Sequence, residues 1–470
     1  MPAVLGGGIG GLSAAYYLTR RFVNPVTVYE ASNRLGGWIR SENHYDENFI
    51  FEAGPRTIRT KGPAATNTLE LLEDLNLNKD IYPICDTHPA ARNRMVYAKG
   101  RLNMLPNSLT GAFKTLPPFT KPLISALFHD LRAGSKKQKI NDESMYDFVE
   151  RRFGKEIADY AISPMICGIC AGNAKEISVR FLMNDLFEWE QKHGGVIKGL
   201  LFRDKKKAIK KQSEGVLPKL AKDQKWSIYS IKGGLEMLPK TLADYLTIYS
   251  DIQLNSNCQK VTFSKDGSAE ICINDKAITT DHVVSSLPAF TLATAVEEQH
   301  PDLAGRLNEI PYVDVAVVNL QYRSPDLLEQ EAFGFLVPPI ENLPILGVIF
   351  DSCCFNMRGN TVLTCMLGGH WFEKLFGKNP TEKDILDVAL KNVHDILGIE
   401  VEPKTSRVHI LRKCIPQYTV GHKARVDGIR DYVKKHKLPL SLCGSAFDGV
   451  GVNDVILSSR NQVDHIVGCQ

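Results

Sequence analysis

The sequence has little excess charge of either sign: 57 lysines and arginines stand against 53 aspartates and glutamates, for a formal net charge of +4. This balance argues against a nucleic-acid partner. Its 11 cysteines are odd in number and scattered, which excludes the disulfide framework of a small secreted domain. Hydrophobic residues are 43% of 470, enough for large cores, and two or three domains are expected at roughly 100–200 residues each.

Motifs of catalysis by side chains alone are also missing. We find no HExxH pattern, no Ser-His-Asp order and no paired carboxylates in a recognisable context. Cys167 and Cys170 have the spacing of a redox or metal motif, but no second CxxC and no nearby histidine pair completes a zinc site. Buried free thiols are the expectation there, with redox or metal binding as the alternative, and no metal site is predicted. The chemistry is then expected to come from a bound cofactor.

A glycine-rich turn stands at the start of the chain. Residues 1–5 are typical of a short strand, so that no targeting peptide is expected ahead of it, and residues 12–18 are typical of a helix. Between them, a G-x-G-x-x-G pattern allows a tight turn, close approach of a pyrophosphate and close helix packing. The predicted pyrophosphate-binding residues are Gly6, Gly7, Gly8, Ile9, Gly10 and Gly11.

An acidic residue follows at the distance expected for a dinucleotide site. Glu30 ends a predicted strand over 26–30, 19 residues after Gly11, where it can accept both ribose hydroxyls. The alternative is a glycine-rich turn with an unrelated surface glutamate. The run Arg34–Trp38 then resembles the R-x-G-G continuation of the FAD-dependent amine oxidase and desaturase superfamily, which favours FAD over NAD.

The rest of the nucleotide-binding sheet must come from later parts of the chain. Residues 281–288 and 438–444 are typical of buried strands, and a helix is predicted over 455–467. Residues 257–263 and 270–273 are predicted to be strands joined by a turn. The cofactor domain is therefore expected to be discontinuous.

Several motifs in order resemble one family closely. They are Gly54-Pro55-Arg56, Asn93-Arg94, the run 233–239, the run 317–320 and Cys414-Ile415-Pro416-Gln417-Tyr418. From Val4 to about Gly468 the chain resembles the protoporphyrinogen IX oxidases of the eukaryotic, mitochondrial type.

The resemblance implies an α/β fold with α+β insertions. Its parts are a discontinuous FAD-binding Rossmann-like domain, a substrate-binding domain with a mixed sheet and a mostly helical membrane-binding domain. The expected borders are 1–90, 206–290 and 411–470 for the FAD-binding domain, 91–205 for the membrane-binding domain and 291–410 for the substrate-binding domain.

The resemblance also implies an activity. Protoporphyrinogen IX would lose six electrons through non-covalent FAD to oxygen, giving protoporphyrin IX and hydrogen peroxide in haem biosynthesis. The alternatives are another FAD oxidase of this fold, acting on amines or carotenoids, and a flavoprotein scaffold without turnover. Further implied properties are a peripheral, monotopic position on the intermembrane-space side of the mitochondrial inner membrane, a homodimer and a transient contact with ferrochelatase.

A large apolar macrocycle with two propionates needs apolar walls and at least one cation. Arg94 stands where the family binds a propionate, although it could be an ordinary surface arginine. The implied walls are formed by Phe333, Gly334, Leu336 and Met366, for which ordinary core positions are the alternative. Gly334 could place a bare carbonyl near the macrocycle.

Further cofactor contacts follow from the family pattern. Trp38, Gly54, Pro55, Arg56 and Thr57 are expected along the ribityl chain and flavin ring, with a structural ion pair as the alternative for Arg56. Cys258 stands where the family contacts adenine through the main chain, although valine is more usual there. The flavin end is expected to meet Ser445, Val450, Gly451 and Val452.

No stretch of about 18 residues is apolar enough to predict a spanning helix. Residues 102–128 come nearest, but prolines interrupt them, and six basic residues fall within 203–211. Peripheral attachment is expected, with a solvated loop beside an ordinary core as the alternative.

Overall fold

The structure is a computed structural model that describes residues 2–21, 25–134, 140–202, 215–355, 357 and 359–468. Three separate parts of the chain contribute to one parallel sheet. Its strands are β1 (Pro2–Leu5), β2 (Val26–Tyr29), β10 (Ser250–Gln253), β14 (His282–Ser285) and β20 (Leu440–Leu442). They lie in the order β10-β2-β1-β14-β20, which confirms the predicted Rossmann-like sheet and its discontinuous origin.

Two layers cover this sheet. One consists of α1 (Ile9–Thr19), α2 (Pro63–Asp74), α13 (Met237–Tyr249) and α20 (Val452–Gly468). The other consists of α14 (Ala289–Val296), α15 (Pro301–Asn308), α19 (His422–Lys435) and an antiparallel sheet of β11 (Cys258–Phe263), β12 (Ala269–Ile273) and β13 (Lys276–Thr280). Val4 packs with the first layer while Ala3 and Leu5 pack with the second, so β1 is buried on both faces.

A second sheet has seven strands in the described part of the chain. They are β7 (Met95–Ala98), β8 (Arg101–Met104), β15 (Tyr312–Tyr322), β16 (Gly334–Leu336), β17 (Ile345–Phe350), β18 (Thr361–Gly369) and β19 (Thr405–Pro416). The order is β19-β15-β18-β17-β16-β7-β8, antiparallel throughout except for the β16–β7 pair. One face packs against α17 (Phe372–Phe376) and α18 (Glu382–Leu397), and the other against α8 (Ser163–Cys170).

Two features of this sheet differ from the predicted domain borders. The β7–β8 hairpin belongs to the sheet, although residues 91–205 were expected to be mostly helical. Lys99 (φ 56°) and Gly100 (φ 74°) form the two-residue turn between paired Ala98 and Arg101, a geometry that suits the twist of a hairpin. In addition, β19 runs across the border predicted at 410/411. The other borders remain predictions.

The helices over residues 125–202 are packed together, and most of them share a separate core with Phe148 and Phe187. They are α5 (Ser125–Arg132), α6 (Met145–Phe153), α7 (Lys155–Ile157), a π-helical turn (Ala158–Ile162), α8, α9 (Val179–Leu182), α10 (Asn184–His193) and α11 (Val196–Phe202). Wholly buried Arg152 of α6 pairs with Asp130 of α5 and Glu190 of α10. Asp130 also accepts the first two amide N–H groups of α11, so buried charges connect four helices.

Short elements complete the chain. The remaining strands are β3 (Ser41–His44), β4 (Phe49–Glu52), β5 (Ile58–Arg59), β6 (Ile81–Cys85) and β9 (Trp226–Ile231). β3 pairs with β4, and β9 lies between β5 and β6. The remaining α-helices in the described part of the chain are α3 (Pro89–Arg92), α4 (Leu109–Ala112), α12 (Val216–Asp223) and α16 (Asp351–Cys354). Among the described residues, no helix has the length and apolarity needed to cross a bilayer.

Candidate active site

The first turn of α1 has the geometry of an anion-binding helix start. Gly8 caps α1 and offers no side chain, so the first amide groups lack a side-chain acceptor. A Cβ on Gly11 would lie 1.8 Å from the Gly6 oxygen, whereas a Cβ on Gly8 would meet only the Gly37 Cα, at 3.7 Å. Gly11 is therefore required for packing, and Gly8 leaves open space that fits a pyrophosphate. Ile9 and Gly10 form the first turn of α1, within the same loop.

The carboxylate of Glu30 holds this loop at the end of β2. It accepts the Gly7 N–H at 2.6 Å and the N–H and hydroxyl of Ser32 at 2.9 and 2.6 Å. The Ser256 N–H donates to the Glu30 carbonyl at 2.8 Å, so the approach to Cys258 lies at the same edge. Burial raises the pKa of the Cys258 thiol to about 12. The ribose and adenine contacts of these two residues remain predictions.

A second glycine pair, Gly36 and Gly37, lies against the glycine-rich loop of residues 6–11. The Gly36 N–H donates to the Gly7 carbonyl at 2.9 Å, and the Arg34 guanidinium donates to the Gly37 carbonyl. Trp38 follows with 44% of its surface exposed, which is high for the largest apolar side chain. A Cβ on Gly54 would lie 2.1 Å from the Trp38 oxygen, so glycine is required where the two backbone segments pass each other. An exposed indole beside two glycine turns fits a surface that a flat cofactor covers.

Arg56 lies between Pro55 and Thr57, on the segment that joins β4 to β5. Its Nη1 is 3.4 Å from Asp351 Oδ1, and both side chains are about 5% exposed. Burial raises the pKa of Asp351, and the Arg56 charge opposes that rise. The Thr364 hydroxyl donates to Asp351 Oδ2 at 2.6 Å. The structure thus shows the ion pair that was the alternative for Arg56, and its flavin contact remains a prediction.

A second buried carboxyl lies close by and was not singled out from the sequence. Glu52 accepts the Ser41 hydroxyl at 2.7 Å and the Leu235 N–H at 2.8 Å. Burial raises the pKa of Glu52 to about 7, although both hydrogen bonds and Arg56 oppose the shift. Asn319 of β15 donates to the Glu52 carbonyl at 3.2 Å, which connects the end of β4 to the large sheet.

The two aliphatic residues predicted to line the macrocycle site share one face of the large sheet. Leu336 of β16 pairs with Gly347 of β17, and Gly347 pairs in turn with Met366 of β18. Residues paired directly across strands point to the same face. The Leu336 side chain fills the space beside Gly347, where a Cβ would lie 2.9 Å from Leu336 Cδ2. Thr364, two residues before Met366, shares that face. The Arg56–Asp351 pair is therefore held from the same side of the sheet as the predicted wall.

Helix α8 lies over this face. A Cβ on Gly168 would be 2.8 Å from Leu336 Cδ2, and Cys167 packs in one cluster with Met366. Burial raises the pKa of both Cys167 and Cys170 to about 12, and both are free thiols. The CxxC motif therefore contributes an apolar wall. No group of three or more potential metal ligands occurs in the part of the chain that the structure describes.

Gly334 is constrained by backbone packing. Its φ is +135°, and a Cβ there would lie 2.0 Å from the Val348 oxygen. A side chain is thus excluded by strand β17 itself, which explains the glycine without any ligand. A contact between its carbonyl and substrate remains a prediction.

Arg94 and Phe333 form a cation–π pair. The guanidinium carbon of Arg94 lies 4.5 Å from the centroid of the Phe333 ring. The Phe333 N–H donates to the Asn93 carbonyl at 3.3 Å, which fixes the two segments side by side. Burial lowers the pKa of Arg94. Within the described residues no carboxylate lies within 4.0 Å of Arg94, so this half-buried cation is free to bind the carboxylate of a ligand.

The loop before α20 is held by a residue that was quoted as part of a motif but assigned no role. The Tyr418 hydroxyl donates to the Ser445 carbonyl and accepts the Gly449 N–H, both at 2.7 Å. Glycine at 449 has φ +132° and packs against Asp454. Val450 packs with the helical core, Gly451 stands before α20, and Val452 begins that helix. The second glycine turn is thereby fixed at a helix start, and its contact with the flavin end remains a prediction.

Comparison with known proteins agrees with this arrangement. The flavin-containing amine oxidoreductase family matches residues 9–467. Protoporphyrinogen oxidases from Bos taurus and Homo sapiens are each 37% identical to the chain, over 99% of it and 98% of their own lengths. The Schizosaccharomyces pombe protoporphyrinogen oxidase is 30% identical, over 98% of this chain and 97% of its own.

Solved structures show the same fold. A crystal structure from Exiguobacterium sp. 255-15, provisionally named a protoporphyrinogen oxidase, has a TM-score of 0.80 at 23% identity, covering 100% of this chain and 99% of its own. Cyclohexylamine oxidase from Brevibacterium oxydans IH-35A has a TM-score of 0.69 at 14% identity, covering 99% and 98%. At these identities the likeness concerns the fold alone. The family match implies FAD as the cofactor, and the open space at Gly8 is consistent with it. The chain belongs to the flavin-containing amine oxidoreductases and, within them, to the protoporphyrinogen oxidase family.

Proposed function

We propose that this chain oxidises protoporphyrinogen IX to protoporphyrin IX with oxygen as the final acceptor. The observation that carries the proposal is Arg94: a half-buried cation on an aromatic ring, with no carboxylate within 4.0 Å among the described residues. An amine substrate would be repelled by such a group, whereas a propionate would be bound by it. The 37% identity to mammalian protoporphyrinogen oxidases supports the same substrate.

The protein's part is to bind and orient two flat molecules. The main chain of Gly6–Gly11 would hold the pyrophosphate of FAD and Glu30 its ribose. Trp38, the segment 54–57, Ser445 and the segment 450–452 would lie along the flavin. When bound, FAD accepts the electrons removed from the substrate and passes them to oxygen, with hydrogen peroxide as the second product.

The substrate contacts require no nucleophile. Arg94 would hold one propionate, while Phe333, Leu336 and Met366 supply apolar surface and Gly334 its main chain. Water would be excluded by the same apolar residues together with α8.

Turnover in vitro tests the proposal. FAD-saturated protein should convert protoporphyrinogen IX to fluorescent protoporphyrin faster than autoxidation and release hydrogen peroxide. Arg94→Ala should lower kcat/KM by roughly ten- to a hundredfold with FAD content unchanged, because a charge-assisted hydrogen bond contributes about 1.5–3 kcal/mol. Arg94→Lys, which keeps the charge, should recover part of that loss. Oxidation of cyclohexylamine without porphyrin formation would contradict the proposal.

We also propose peripheral attachment to the mitochondrial inner membrane, on the intermembrane-space side. The support is a set of exposed apolar side chains on neighbouring segments: Phe113, Leu127, Phe128, Leu200, Leu201 and Phe202. Helices α5 and α11, which carry five of the six, are connected through Asp130. The basic run 203–211 follows α11 directly but lies outside the described residues. We also propose a homodimer and a transient contact with ferrochelatase.

A further inference from the structure

A second unpaired arginine lies on the same side of the molecule as Arg94. Arg59 ends β5, has an exposed side chain and pairs directly with Ile228 of β9. The preceding pair, Ile58 and Tyr229, packs into the core of the parallel sheet. Side chains alternate along a strand, so Arg59 and Ile228 point together to the opposite face.

That opposite face carries an apolar cluster. Ile228 packs there with Ile84, Ala90 and Cys354, and Phe333 packs against them. Phe333 is the ring under the Arg94 guanidinium. Two arginines from separate segments therefore approach one apolar cluster, Arg59 beside its Ile228 edge and Arg94 above its Phe333 edge.

Neither guanidinium forms an ion pair within the described part of the chain. Among the described residues no carboxylate oxygen lies within 4.0 Å of Arg59 or Arg94. Arg59 contributes to the lowered pKa of Arg94, as expected of two neighbouring positive charges. The nearby acid is Asp454, whose pKa burial raises and Arg59 lowers. Asn453, beside it, donates to the Arg59 carbonyl at 2.9 Å and fixes the end of β5 against α20.

We propose that Arg59 is a second carboxylate-binding residue, so that the two arginines hold the two propionates of the macrocycle, one each. The inference rests on the proposed function and deepens it. Two cations beside a shared apolar cluster complement a ligand that is apolar in its body and carries two carboxylates on neighbouring rings. The two bound carboxylates then offset the repulsion between the two positive charges in the free protein.

Binding of a stable ligand tests this apart from turnover. We would titrate FAD-loaded protein with protoporphyrin IX and with its dimethyl ester, which keeps the macrocycle but lacks both charges. Arg59→Gln should raise the Kd of the free acid by about tenfold and leave that of the ester unchanged. Arg59→Lys should recover most of the affinity. Arg101→Gln, at an exposed position at the far end of the β7–β8 hairpin, is the matched control and should bind like the wild type.

Both arginines should contribute to the affinity for the free acid, because each binds a different carboxylate. The Arg59→Gln, Arg94→Gln double variant should therefore bind acid and ester equally. A free-acid Kd for Arg59→Gln within twofold of the wild type, at normal FAD content, would overturn the role of Arg59. The same would follow if the wild type bound acid and ester equally. Loss of the proposed function has a different signature, namely no turnover of protoporphyrinogen by the wild type.

Discussion

Arg56 Nη1 and Asp351 Oδ1 lie 3.4 Å apart, and both side chains are about 5% exposed. The pair joins the segment after β4 to the short helix α16, which follows the large sheet's strand β17. Removing one partner of a buried pair leaves an uncompensated charge, which costs more than the pair itself contributes.

Asp351→Asn should therefore destabilise the protein strongly. We expect a loss of about 3 kcal/mol or more in the free energy of unfolding, because Arg56 would keep its charge in a buried site. Chemical denaturation of the FAD-loaded protein measures the change.

Thr364→Val provides the graded comparison for that experiment. It removes a hydroxyl that donates to Asp351 and accepts from Asn319, so a loss of about 1–2 kcal/mol is expected. Thr364→Ser keeps the donor and should behave nearly like the wild type. If Asp351→Asn were no more harmful than Thr364→Val, the pair would not hold a charged Arg56.

Substitutions at Gly11 and Gly8 should affect different properties, the first the stability of the protein and the second its binding of FAD. A Cβ at Gly11 would lie 1.8 Å from the Gly6 oxygen, so Gly11→Ala should lower the melting temperature of the apoprotein. At Gly8 the space is open, so Gly8→Val should fold but lose FAD, because its side chain would occupy the pyrophosphate position. The ratio of flavin to protein absorbance reports the second effect. Full flavin content in Gly8→Val would place the phosphate elsewhere.

The parallel sheet could be predicted because its signals are local. An apolar run, the glycine turn and an acid 19 residues later identify β1, α1 and β2, and each lies where it was predicted. Strands β14 and β20 and helix α20 were likewise recognised from neighbouring residues alone.

The site could be predicted only in part, since its contacts join distant residues. Arg56 was a candidate, but its partner Asp351 is 295 residues away and has no local signal. The β7–β8 hairpin was assigned to a helical region because its partner β16 comes more than 200 residues later. Arg59 was overlooked because its importance depends on the register of β5 against β9.

Glu52 should give the protein a measurable pH dependence. Its folded pKa of about 7 exceeds the unfolded value of about 4.3, so the folded state binds the proton more tightly. Its contribution to stability is complete below the unfolded pKa and is lost as pH rises through the folded pKa. Over this range the loss is at most about 3–4 kcal/mol.

Glu52→Gln removes this titration and keeps a neutral side chain of the same shape. Compared with the wild type, the variant should gain relative stability between pH 5 and pH 8, measured as melting temperature at saturating FAD. Exposed Glu298→Gln is the control and should run parallel to the wild type. A constant difference between Glu52→Gln and the wild type over this range would show that Glu52 is already ionised at pH 5.

The exposed apolar side chains of α5 and α11 should bind a lipid surface. Phe128 is 57% and Phe202 is 70% exposed, and the basic run 203–211 follows at once. Apolar insertion is insensitive to salt, whereas attraction of lysines to anionic headgroups is screened beyond about 8–10 Å. Sedimentation with anionic vesicles should therefore recover most wild-type protein even at high salt, while detergent should release it.

Two sets of variants separate these forces. Phe128→Asp with Phe202→Asp should abolish binding at high salt, because a charged side chain cannot enter the apolar layer. Glutamine at Lys205, Lys206, Lys207, Lys210 and Lys211 should instead weaken binding at low salt and leave flavin content unchanged. Ile248→Asp is the matched control, since Ile248 is 73% exposed but lies on α13, against the parallel sheet. Wild-type protein that stayed in solution with anionic vesicles at low salt would show that the apolar residues of α5 and α11 serve another purpose.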